Sequence, residues 1–355
     1  MTAPINYSGT GEWLRNEGPD HDVVVSSRVR LARNLSGFDF VNRADRVERT
    51  HLVALAREHL NACTDPFGLE KTWMEVDRLE VLDRCLLAER HLISKDMIKG
   101  SEPRAVMVNT AESVSVMVNE EDHYRIQAIQ SGFRLTEAFD AVNNLDDQLD
   151  EKVQYAFHNR FGYLTACPTN VGTGIRISVM LHLPALTLTG EIERVRRAAR
   201  DMVLAIRGFY GEGTDAHGDL YQVSNQTTLG KSEAELLAEF NERIIPAVIE
   251  YERQARQVMV SKRSTVLEDR CYRALGILTH ARIIKAAEAM KLLSHLRLGI
   301  ELGRITTIPV STVNQLLLHC QPAHLQRIVG HPLHQSKRSA ARADLIRTAL
   351  SDCDL

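Results

Sequence analysis

Length, composition and charge limit the kind of protein this chain can be. It has 355 residues, a formal net charge of −3 and an apolar fraction of 44%, which is typical of a soluble globular protein of about two domains. This balance excludes a polybasic nucleic-acid-binding chain and an acidic disordered chain. The 43 basic residues comprise 34 Arg and only 9 Lys. Codon usage in a GC-rich genome explains such an excess, and so does a need for planar, permanently charged groups that bind phosphate.

The cysteine and histidine residues do not follow the spacings of a metal or disulfide protein. The six cysteines include no CxxC pair, and the 14 histidines include no HExxH motif, so we expect reduced thiols and no dedicated metal site. The first residues lack the basic and apolar blocks of a signal peptide, and no apolar run approaches the length of a membrane span. These features together predict a cytoplasmic protein.

The first two-thirds of the chain alternate strand and helix patterns. Apolar periodicity predicts a strand at 22–27, a helix at 43–62, a hairpin of 104–109 with 114–118, a strand at 175–183, a helix at 191–206 and a strand at 218–223. Several strands follow one another in hairpin-like order, without regular βαβ spacing. We therefore expect an α+β fold in which an antiparallel or mixed sheet is flanked by helices.

The last third of the chain is predicted to be helical throughout. Apolar residues follow helical spacing from 232 to 249 and again in 266–279, 281–298, 310–320 and 340–350. Ser232 is placed to cap the first of these helices. We therefore divide the chain into an α+β domain, 1–257, and an all-helical domain, 258–355. The apolar stripes of the second domain would form either a dimer interface or its own core; they contain Ile277, Leu278, Ile284, Leu292, Leu293 and Leu296.

Two arginines follow a pair of serines in the first strand. In the run Ser26-Ser27-Arg28-Val29-Arg30, residues at i and i+2 point to the same face, so Arg28 and Arg30 project together, about 7 Å apart. Two guanidinium groups at this spacing repel each other unless an anion lies between them. The alternative is a solvated edge strand.

Three loops carry residues suited to chemistry. The acidic run 119–123 is followed by Arg125, so a strand end could deliver a carboxylate and a cation, although such a run is also typical of a turn. The run CPTNVGTGIR joins Cys167 to Arg176; amides in such a loop can bind an anion, and positive charge favours a thiolate. A glycine-rich loop, 207–214, carries the single acid Glu212 and is either a flexible turn or a lid.

Taken in order, these motifs resemble those of the phosphagen (guanidino) kinase family. The resemblance covers about residues 20–255 and rests on SSRVRLARNL, VNEEDHYR, CPTNVGTGIR, the RG and GEG residues of the glycine-rich loop, and SNQ followed by LGKSE. Within this family the chain is most similar to the bacterial McsB-type protein-arginine kinases. It shares their YLT lead-in to CPTNVGTG and their helical C-terminal region.

The resemblance implies that ATP donates its γ-phosphoryl group to a guanidinium nitrogen. By motif position, five arginines would hold the triphosphate: Arg28, Arg30, Arg125, Arg176 and Arg207. His91 would lie near the adenine. Further nucleotide-site residues are implied in the same way on the same strands and in the glycine-rich loop: Ser26, Ser27, Val29, Ile177, Ser178, Val179, Met180, Gly208, Phe209, Tyr210, Gly211 and Glu212. Mg²⁺ would be held mainly by the phosphates and water.

The same resemblance places two carboxylates and a cysteine around the acceptor. Deprotonating an arginine guanidinium at pH 7 costs about 7.5–9 kcal/mol, so a carboxylate cannot hold that proton beforehand. It can orient the nitrogen and accept the proton as the N–P bond forms. Glu121 and Glu212 match the carboxylates of the family. Cys167 would lie beside the guanidinium as a thiolate and would not act as a nucleophile.

Two departures from the family pattern bear on substrate and regulation. Small-guanidine kinases carry a helical domain before the first strand, whereas here that strand begins near residue 22, which argues for a more open site and a protein substrate. In the McsB type an RDxxRA motif binds phosphoarginine. The aligned residues are Arg338, Ser339, Arg342 and Ala343, with Ser339 in place of the acid. This stretch is either a regulatory site or the basic first turn of the last helix.

The sequence thus predicts an ATP-dependent protein-arginine kinase. A kinase for free arginine or another small guanidine is one alternative, and an inactive adaptor that keeps the fold is another. Retention of Glu121, Glu212, Cys167 and the five arginines argues against the adaptor. The family's association with Clp-type protein quality control implies a role in stress response, a Clp unfoldase and a zinc-containing activator protein as partners, and a homodimer. No nucleic-acid or membrane partner is expected.

Overall fold

The protein is organised around one antiparallel sheet. The structure, a computed structural model, describes residues 9–208 and 217–351. The sheet strands are β1 (Val24–Arg33), β2 (Lys71–Glu75), β3 (Ala105–Asn109), β4 (Val114–Val118), β5 (Tyr124–Ser131), β8 (Ile175–His182), β9 (Leu204–Gly208) and β10 (Leu220–Asn225), with a separate hairpin of β6 (Phe157–His158) and β7 (Gly162–Tyr163). The eight strands lie in the order β2-β3-β4-β5-β1-β8-β10-β9, and every neighbouring pair is antiparallel.

Helices surround this sheet and form the whole of the C-terminal region within the described residues. They are α1 (Arg46–Ala62), α2 (Val81–Glu89), α3 (Leu135–Asp150), α4 (Pro184–Thr189), α5 (Ile192–Asp201), α6 (Glu233–Ala238), α7 (Ile245–Lys262), α8 (Ser264–His280), α9 (Ala286–Glu301), α10 (Val310–His319), α11 (Pro322–Val329) and α12 (Gln335–Ser351). A π-helical turn, Glu239–Ile244, joins α6 to α7. The predicted α+β class, with an antiparallel sheet followed by helices, is confirmed.

The two faces of the sheet differ in character because side chains alternate along each strand. On one face, apolar residues such as Val29, Leu31, Ile126 and Ile177 are fully buried, and α3 packs against β1 and β5 there. The opposite face carries Arg28 and Arg30 of β1, whereas Arg33 lies on the apolar face and pairs with Asp146 of α3. The strand register therefore separates a structural face from a polar face, which we call the arginine face.

One predicted helix is wrong at its C-terminal end. The span 191–206 was expected to be a single helix, but α5 ends at Asp201 and β9 begins at Leu204. Val203 lies between them with a positive φ of 55°, a backbone conformation that interrupts a helix. Residues 204–208 then pair with β10 across the sheet. This pairing is non-local, and helical periodicity in the sequence does not report it.

The other elements that we predicted are confirmed with shifted ends. The hairpin is β3 and β4, and the strand at 175–183 is β8. Ser232 caps α6 through a capping box, in which its side chain accepts from the Glu235 amide. The sequence analysis did not assign β2, β5, α2, α3, α4 or α11.

The apolar core runs from the sheet into the C-terminal helices without interruption. Helix α7 ends at Lys262 and α8 begins at Ser264, but the division into domains 1–257 and 258–355 remains a prediction. Leu278, Ile284, Leu293 and Leu296 are fully buried within this chain, so these members of the apolar stripes form its own core. Across the described ranges, no helix is both long and apolar enough to span a membrane. The five cysteines of those ranges are free thiols.

Candidate active site

Strand register brings four arginines together on the arginine face. In β1, Arg30 lies opposite Arg176 of β8 on one side and Gln127 of β5 on the other. Arg125 of β5 lies opposite Ala32, two residues further along β1. Since paired residues and residues two apart share a face, Arg28, Arg30, Arg125 and Arg176 project from the same side of the sheet. The prediction from residue spacing that Arg28 and Arg30 project together is confirmed.

Polar neighbours orient two of these guanidinium groups. Arg28 donates from Nε to the Ser178 hydroxyl at 3.2 Å and from an Nη to the Gln222 side-chain oxygen at 2.8 Å. Arg125 donates to the Glu120 carboxylate at 2.5 Å. Within the described residues, neither Arg28 nor Arg30 has a carboxylate at ion-pair distance. The cluster therefore has more positive charge than its protein partners neutralise.

Burial and this excess of positive charge lower the basicity of two members of the cluster, Arg28 and Arg30. Burial, followed by the charges of Arg125 and Arg176, lowers the pKa of Arg28 to about 9. Burial and the charges of Arg28, Arg125 and Arg176 lower the pKa of Arg30 well below its usual value, although Glu120 acts in the opposite direction. Burial alone would raise the pKa of Glu120, but the Arg125 guanidinium brings it below its usual range. A polyanionic ligand on this face would relieve the repulsion.

His91 lies beside the arginine cluster in a small pocket. This narrow pocket is lined by Ser26, Arg28, His91, Ile129, Ser178, Met180 and Gln222. His91 has a φ of 61°, and its carbonyl accepts a hydrogen bond from the Gln127 side chain at 2.8 Å. The centre of its ring lies 4.7 Å from that of Trp13, in an edge-to-face arrangement. Burial, together with Arg28, Arg30 and Lys95, lowers the pKa of His91 to about 3. The ring is therefore neutral at physiological pH.

Four of the expected nucleotide-site residues lie on the other face of the sheet. The alternation of β1 and β8 directs Ser27, Val29, Ile177 and Val179 away from the arginines, and all four are fully buried. Ser27 accepts from the Arg134 amide and donates to the Gly132 carbonyl, so it anchors the connection from β5 to α3. The side chains of these four residues support the sheet and do not border the pocket.

The acidic turn after β4 lies against the Cys167 loop. Asp122 accepts from the Ala166 amide at 2.8 Å and from Asn34 at 2.6 Å, and Asn170 donates to Glu121 at 3.5 Å. The Glu121 residue as a whole is exposed to solvent, but its carboxyl group is partly enclosed by the turn. Burial of its carboxyl, followed by the nearby Asp122 charge, raises its pKa, with Arg125 acting in the opposite direction. The structure thus places Glu121 beside the Cys167 loop.

Glycines fit the Cys167 loop closely against its neighbours. Gly174 has a φ of 68°, and a Cβ there would lie 2.6 Å from the Ala32 carbonyl oxygen of β1. Gly172, with a φ of 116°, is similarly close to the Thr228 carbonyl oxygen. The Thr228 hydroxyl donates to the Val171 carbonyl at 2.7 Å. The loop that carries Cys167 is therefore fixed between β1 and the segment after β10.

Arg207 extends the arginine face to the edge of the sheet. It lies opposite Gln222 in the β9–β10 pairing, and β9 ends at Gly208. The four residues expected after it in the nucleotide site, Phe209, Tyr210, Gly211 and Glu212, lie outside the described residues. Sequence reasoning missed Gln222, although polar Gln222 and Ser224 alternate with apolar Tyr221 and Val223 along β10. That alternation is the signal that could have identified it.

The residues expected in the regulatory stretch lie at the start of α12. Arg342 is buried and donates from Nε to the Cys320 carbonyl at 2.8 Å and from an Nη to the Ile284 carbonyl at 3.1 Å. Arg338 donates to the Leu333 carbonyl at 2.9 Å. The backbone of Ser339 accepts from the Ile284 amide, and Ala343 is fully buried. In this structure both arginines help to pack the C-terminal helices.

Comparison with protein families gives two matches along the chain. Residues 55–255 match the model described as ATP:guanido phosphotransferase, C-terminal catalytic domain. Residues 264–354 match the model described as protein-arginine kinase McsB C-terminal domain.

Curated proteins match over nearly the whole length. A protein named protein-arginine kinase from Bacillus cereus (strain AH820) is 44% identical over 339 residues, 95% of each chain. Another of the same name, from Halothermothrix orenii, is 41% identical over 96% of each chain.

Solved structures share the fold. The duplicated taurocyamine kinase from Schistosoma mansoni with bound transition state analog components superposes with a TM-score of 0.61 and 26% identity. That match covers 71% of this chain and 36% of the other. A lombricine kinase structure superposes with a TM-score of 0.57 and 24% identity over 71% of this chain and 72% of its own, a likeness of fold alone.

Proposed function

The chain belongs to the ATP:guanido phosphotransferase family, and from this premise we propose that it is an ATP-dependent protein-arginine kinase. It would transfer the γ-phosphoryl group of ATP to the guanidinium of arginine residues in proteins. The observation that carries this proposal is the arginine face, where Arg28, Arg30, Arg125 and Arg176 share one side of the sheet. The names of relatives that match over 95% of the chain support arginine in proteins as the acceptor.

The arginine face has the charge and hydrogen-bond donors that a triphosphate requires. Each guanidinium presents a planar fork that can bind two phosphate oxygens, which a lysine ammonium cannot do. Arg28, already oriented by Ser178 and Gln222, would bind the phosphates nearest the His91 pocket. Neutral His91, with Ser26 and Met180 in the same wall, would contact the adenine. Phosphoryl transfer depends mainly on such positioning and neutralisation of charge.

The acceptor guanidinium would lie between the nucleotide and the acidic turn. The Glu121 residue is exposed to solvent, but partial burial of its carboxyl group raises its pKa, so it can accept a proton more readily than an isolated carboxylate. It would orient one guanidinium nitrogen towards the γ-phosphorus and take its proton as the N–P bond forms. Glu212 would act from the other side of the planar fork. Cys167 would lie beside the guanidinium as a thiolate and would help to orient it.

The setting of the reaction is part of the same proposal. Mg²⁺ would be held mainly by phosphate oxygens and water, the coordination that this ion commonly keeps. The protein would act in the cytoplasm as a homodimer, in stress response and protein quality control. A zinc-containing activator protein and a Clp-type unfoldase would be its partners. Support for these points comes from resemblance to the McsB type, which the family match at residues 264–354 strengthens.

Phosphorylation of two acceptors side by side tests this function. The protein is incubated with Mg-ATP and either casein, as an unfolded protein, or free arginine. Acid-labile phosphate is then located by mass spectrometry at neutral pH. We expect phosphoarginine in casein. Label on free arginine alone would instead assign a small-guanidine kinase, and no label on either would favour an inactive adaptor.

The role of Glu121 is tested by replacing its carboxylate with an amide. Glu121→Gln keeps the size of the side chain but cannot accept the proton, so we expect transfer to casein to fall at least a hundredfold, on the order of general-base contributions. Mg-ATP affinity should stay within about threefold, because Glu121 is not assigned to the triphosphate. Glu58→Gln, at an exposed glutamate outside the site, is the matched control. Near-normal transfer by Glu121→Gln would remove it from the base role.

A further inference from the structure

A second cavity lies on the opposite side of the sheet from the arginine face. It has a volume of about 750 Å³, is partly open to solvent, and lies between α5, the start of β10, and helices α8 and α9. Tyr221 forms part of its wall and points away from Gln222, its neighbour in β10, because adjacent residues of a strand alternate. None of the residues assigned to the nucleotide or the acceptor lines this cavity.

Positive charge reaches the cavity from three helices. Arg196 comes from α5, Arg270 and Arg273 from α8, and Lys291 from α9. Arg273 is paired with Asp269 at 2.9 Å, and Arg196 with Glu193 at 3.0 Å. By contrast, among the residues that the structure describes, no carboxylate lies at ion-pair distance from Arg270 or Lys291. These two cations are therefore available to a ligand.

The carboxyl groups in the wall do not cancel this charge. Glu288 is exposed, and its carboxylate accepts from the Lys285 amide at the start of α9. Asp219 is buried, accepts from the Ser294 hydroxyl at 2.7 Å, and burial raises its pKa, with the Ser294 bond acting in the opposite direction. His295 also lines the cavity. Burial, followed by the positive charges of Lys291 and Arg270, lowers the pKa of His295 to about 4.

Part of the wall is apolar and aromatic. Leu292, Ala274 and Tyr221 line it, and the Arg196 guanidinium lies 5.6 Å from the centre of the Tyr221 ring. The cavity is also larger than an inorganic ion requires, since pockets for small organic ligands span about 300–1,000 Å³. A ligand with an organic part as well as negative charge fits these walls.

We propose that this cavity binds a phosphorylated organic anion, with its phosphate between Arg270 and Lys291. Cations that arrive from three helices surround the ligand from several directions. A phosphate group offers three acceptor oxygens in a tetrahedral arrangement, whereas a carboxylate offers two in a plane. A cleft with positive walls also concentrates anions from solution. Tyr221 and Leu292 would contact the organic part, and a nucleoside phosphate is the ligand class that uses both kinds of wall.

Calorimetric titration of the full-length protein tests this site without turnover. Wild type, the double variant Arg270→Ala/Lys291→Ala, and the control Lys262→Ala/Arg282→Ala are each titrated with AMP and with inorganic tripolyphosphate. The control removes the same charge from exposed positions outside the cavity. Since the arginine face is unchanged in all three proteins, binding there cancels in the comparison. Thermal unfolding verifies that each variant is folded.

We expect the wild type and the control to bind one more anion per chain than Arg270→Ala/Lys291→Ala, or to bind it at least tenfold more tightly. If the double variant loses affinity for AMP, the ligand class is a nucleoside phosphate. If it loses affinity only for tripolyphosphate, the site binds free polyphosphate, and the proposal of an organic ligand is contradicted. Identical isotherms for all three proteins would overturn the proposal. Hexaglutamate, an anion without phosphate, is titrated in the same way as a further control. If it binds as tightly as AMP and loses as much affinity in the double variant, the proposal is also overturned.

Discussion

Arg30 and Arg28 are held where their charge destabilises the folded protein. Both have lowered pKa values because they are buried in the sheet face and surrounded by other guanidinium groups. A guanidinium group keeps its proton in proteins at neutral pH, so the two side chains repel each other in the folded protein. We interpret this arrangement as a site whose electrostatic strain is relieved by the triphosphate. The arginines that bind the nucleotide would then work against stability in its absence.

The titration of His91 gives a pH-dependent prediction. Its folded pKa is about 3 because of burial and the nearby Arg28 and Arg30 charges, whereas a histidine in an unfolded chain titrates near about 6.5. Between these values the unfolded chain binds a proton that the folded protein does not. Stability therefore falls as the pH drops through this window. His91→Asn, which tolerates the positive φ, should reduce the loss between pH 7 and pH 5 by up to about 2 kcal/mol.

Urea denaturation of both proteins at the two pH values measures this difference. His182 and His295 also have lowered pKa values, but they are present in both proteins and cancel. Parallel losses of stability in wild type and His91→Asn would contradict a buried, neutral His91.

Individual site residues were predictable to the extent that they follow strand alternation. The period of two placed Arg28 and Arg30 together without knowledge of the fold. The same period places Ser27 and Val29 on the opposite face, which assignment by motif alone did not take into account. Alternation along β10 could have identified the face of Gln222, but its contact with Arg28 depends on the β8–β10 pairing, which the sequence does not display.

At the scale of elements, the Cys167 loop is defined by how closely its glycines approach other backbone atoms. Gly174→Ala would place a Cβ against the Ala32 carbonyl and force a positive φ on alanine. We expect a loss of about 2 kcal/mol or more in the free energy of unfolding and a large loss of transfer, since the loop would be displaced from β1. Denaturation and the casein assay measure the two effects.

Gly190→Ala is the matched control for this prediction. Gly190 also has a positive φ, of 80°, but a Cβ there would meet nothing within 4 Å. It should lose only about 1 kcal/mol and retain transfer activity. Equal effects of the two substitutions would show that backbone conformation, and not the contact with Ala32, limits the loop.

Element types were predictable where the pattern is local and failed where pairing is distant. The hairpin of β3 and β4 has two apolar runs and a short connection, and all of this is visible in sequence. Strand β9 depends on β10 for its hydrogen bonds, so helical periodicity led to the wrong assignment there. Helix α11 is defined mainly by contacts with α2 and α12, which the sequence does not display.

At the scale of the whole molecule, the C-terminal helices are bound to the catalytic region through α2 and α11. The Glu89 carboxylate accepts from the Ala323 and His324 amides at 2.8 and 3.0 Å and contacts the His324 ring at 2.7 Å. Arg327 is bonded to buried Asp83 in the same interface. His91 follows α2 by two residues, so this contact connects the C-terminal helices to the wall of the proposed nucleotide site.

Removing the Glu89 carboxylate should weaken this connection measurably. Glu89→Ala leaves two helix N-terminal amides and the His324 ring without that acceptor, and we expect a loss of about 2–3 kcal/mol in the free energy of unfolding. Glu80→Ala, at an exposed glutamate of the same region, should cost less than about 0.5 kcal/mol. Chemical denaturation compares the two. An equal, small cost for both variants would contradict a structural role for the Glu89 contacts.

One measurement tests most directly whether the arginine face is strained until nucleotide binds. Wild type and Arg30→Met, which has similar bulk and no charge, are denatured chemically with and without Mg-ATP at about a hundred times the wild-type Kd. Without nucleotide, we predict that Arg30→Met is more stable by about 1 kcal/mol or more. With Mg-ATP, the wild type should gain about 2.7 kcal/mol and Arg30→Met much less. An Arg30→Met protein that is less stable alone and gains as much from Mg-ATP as the wild type would contradict this interpretation.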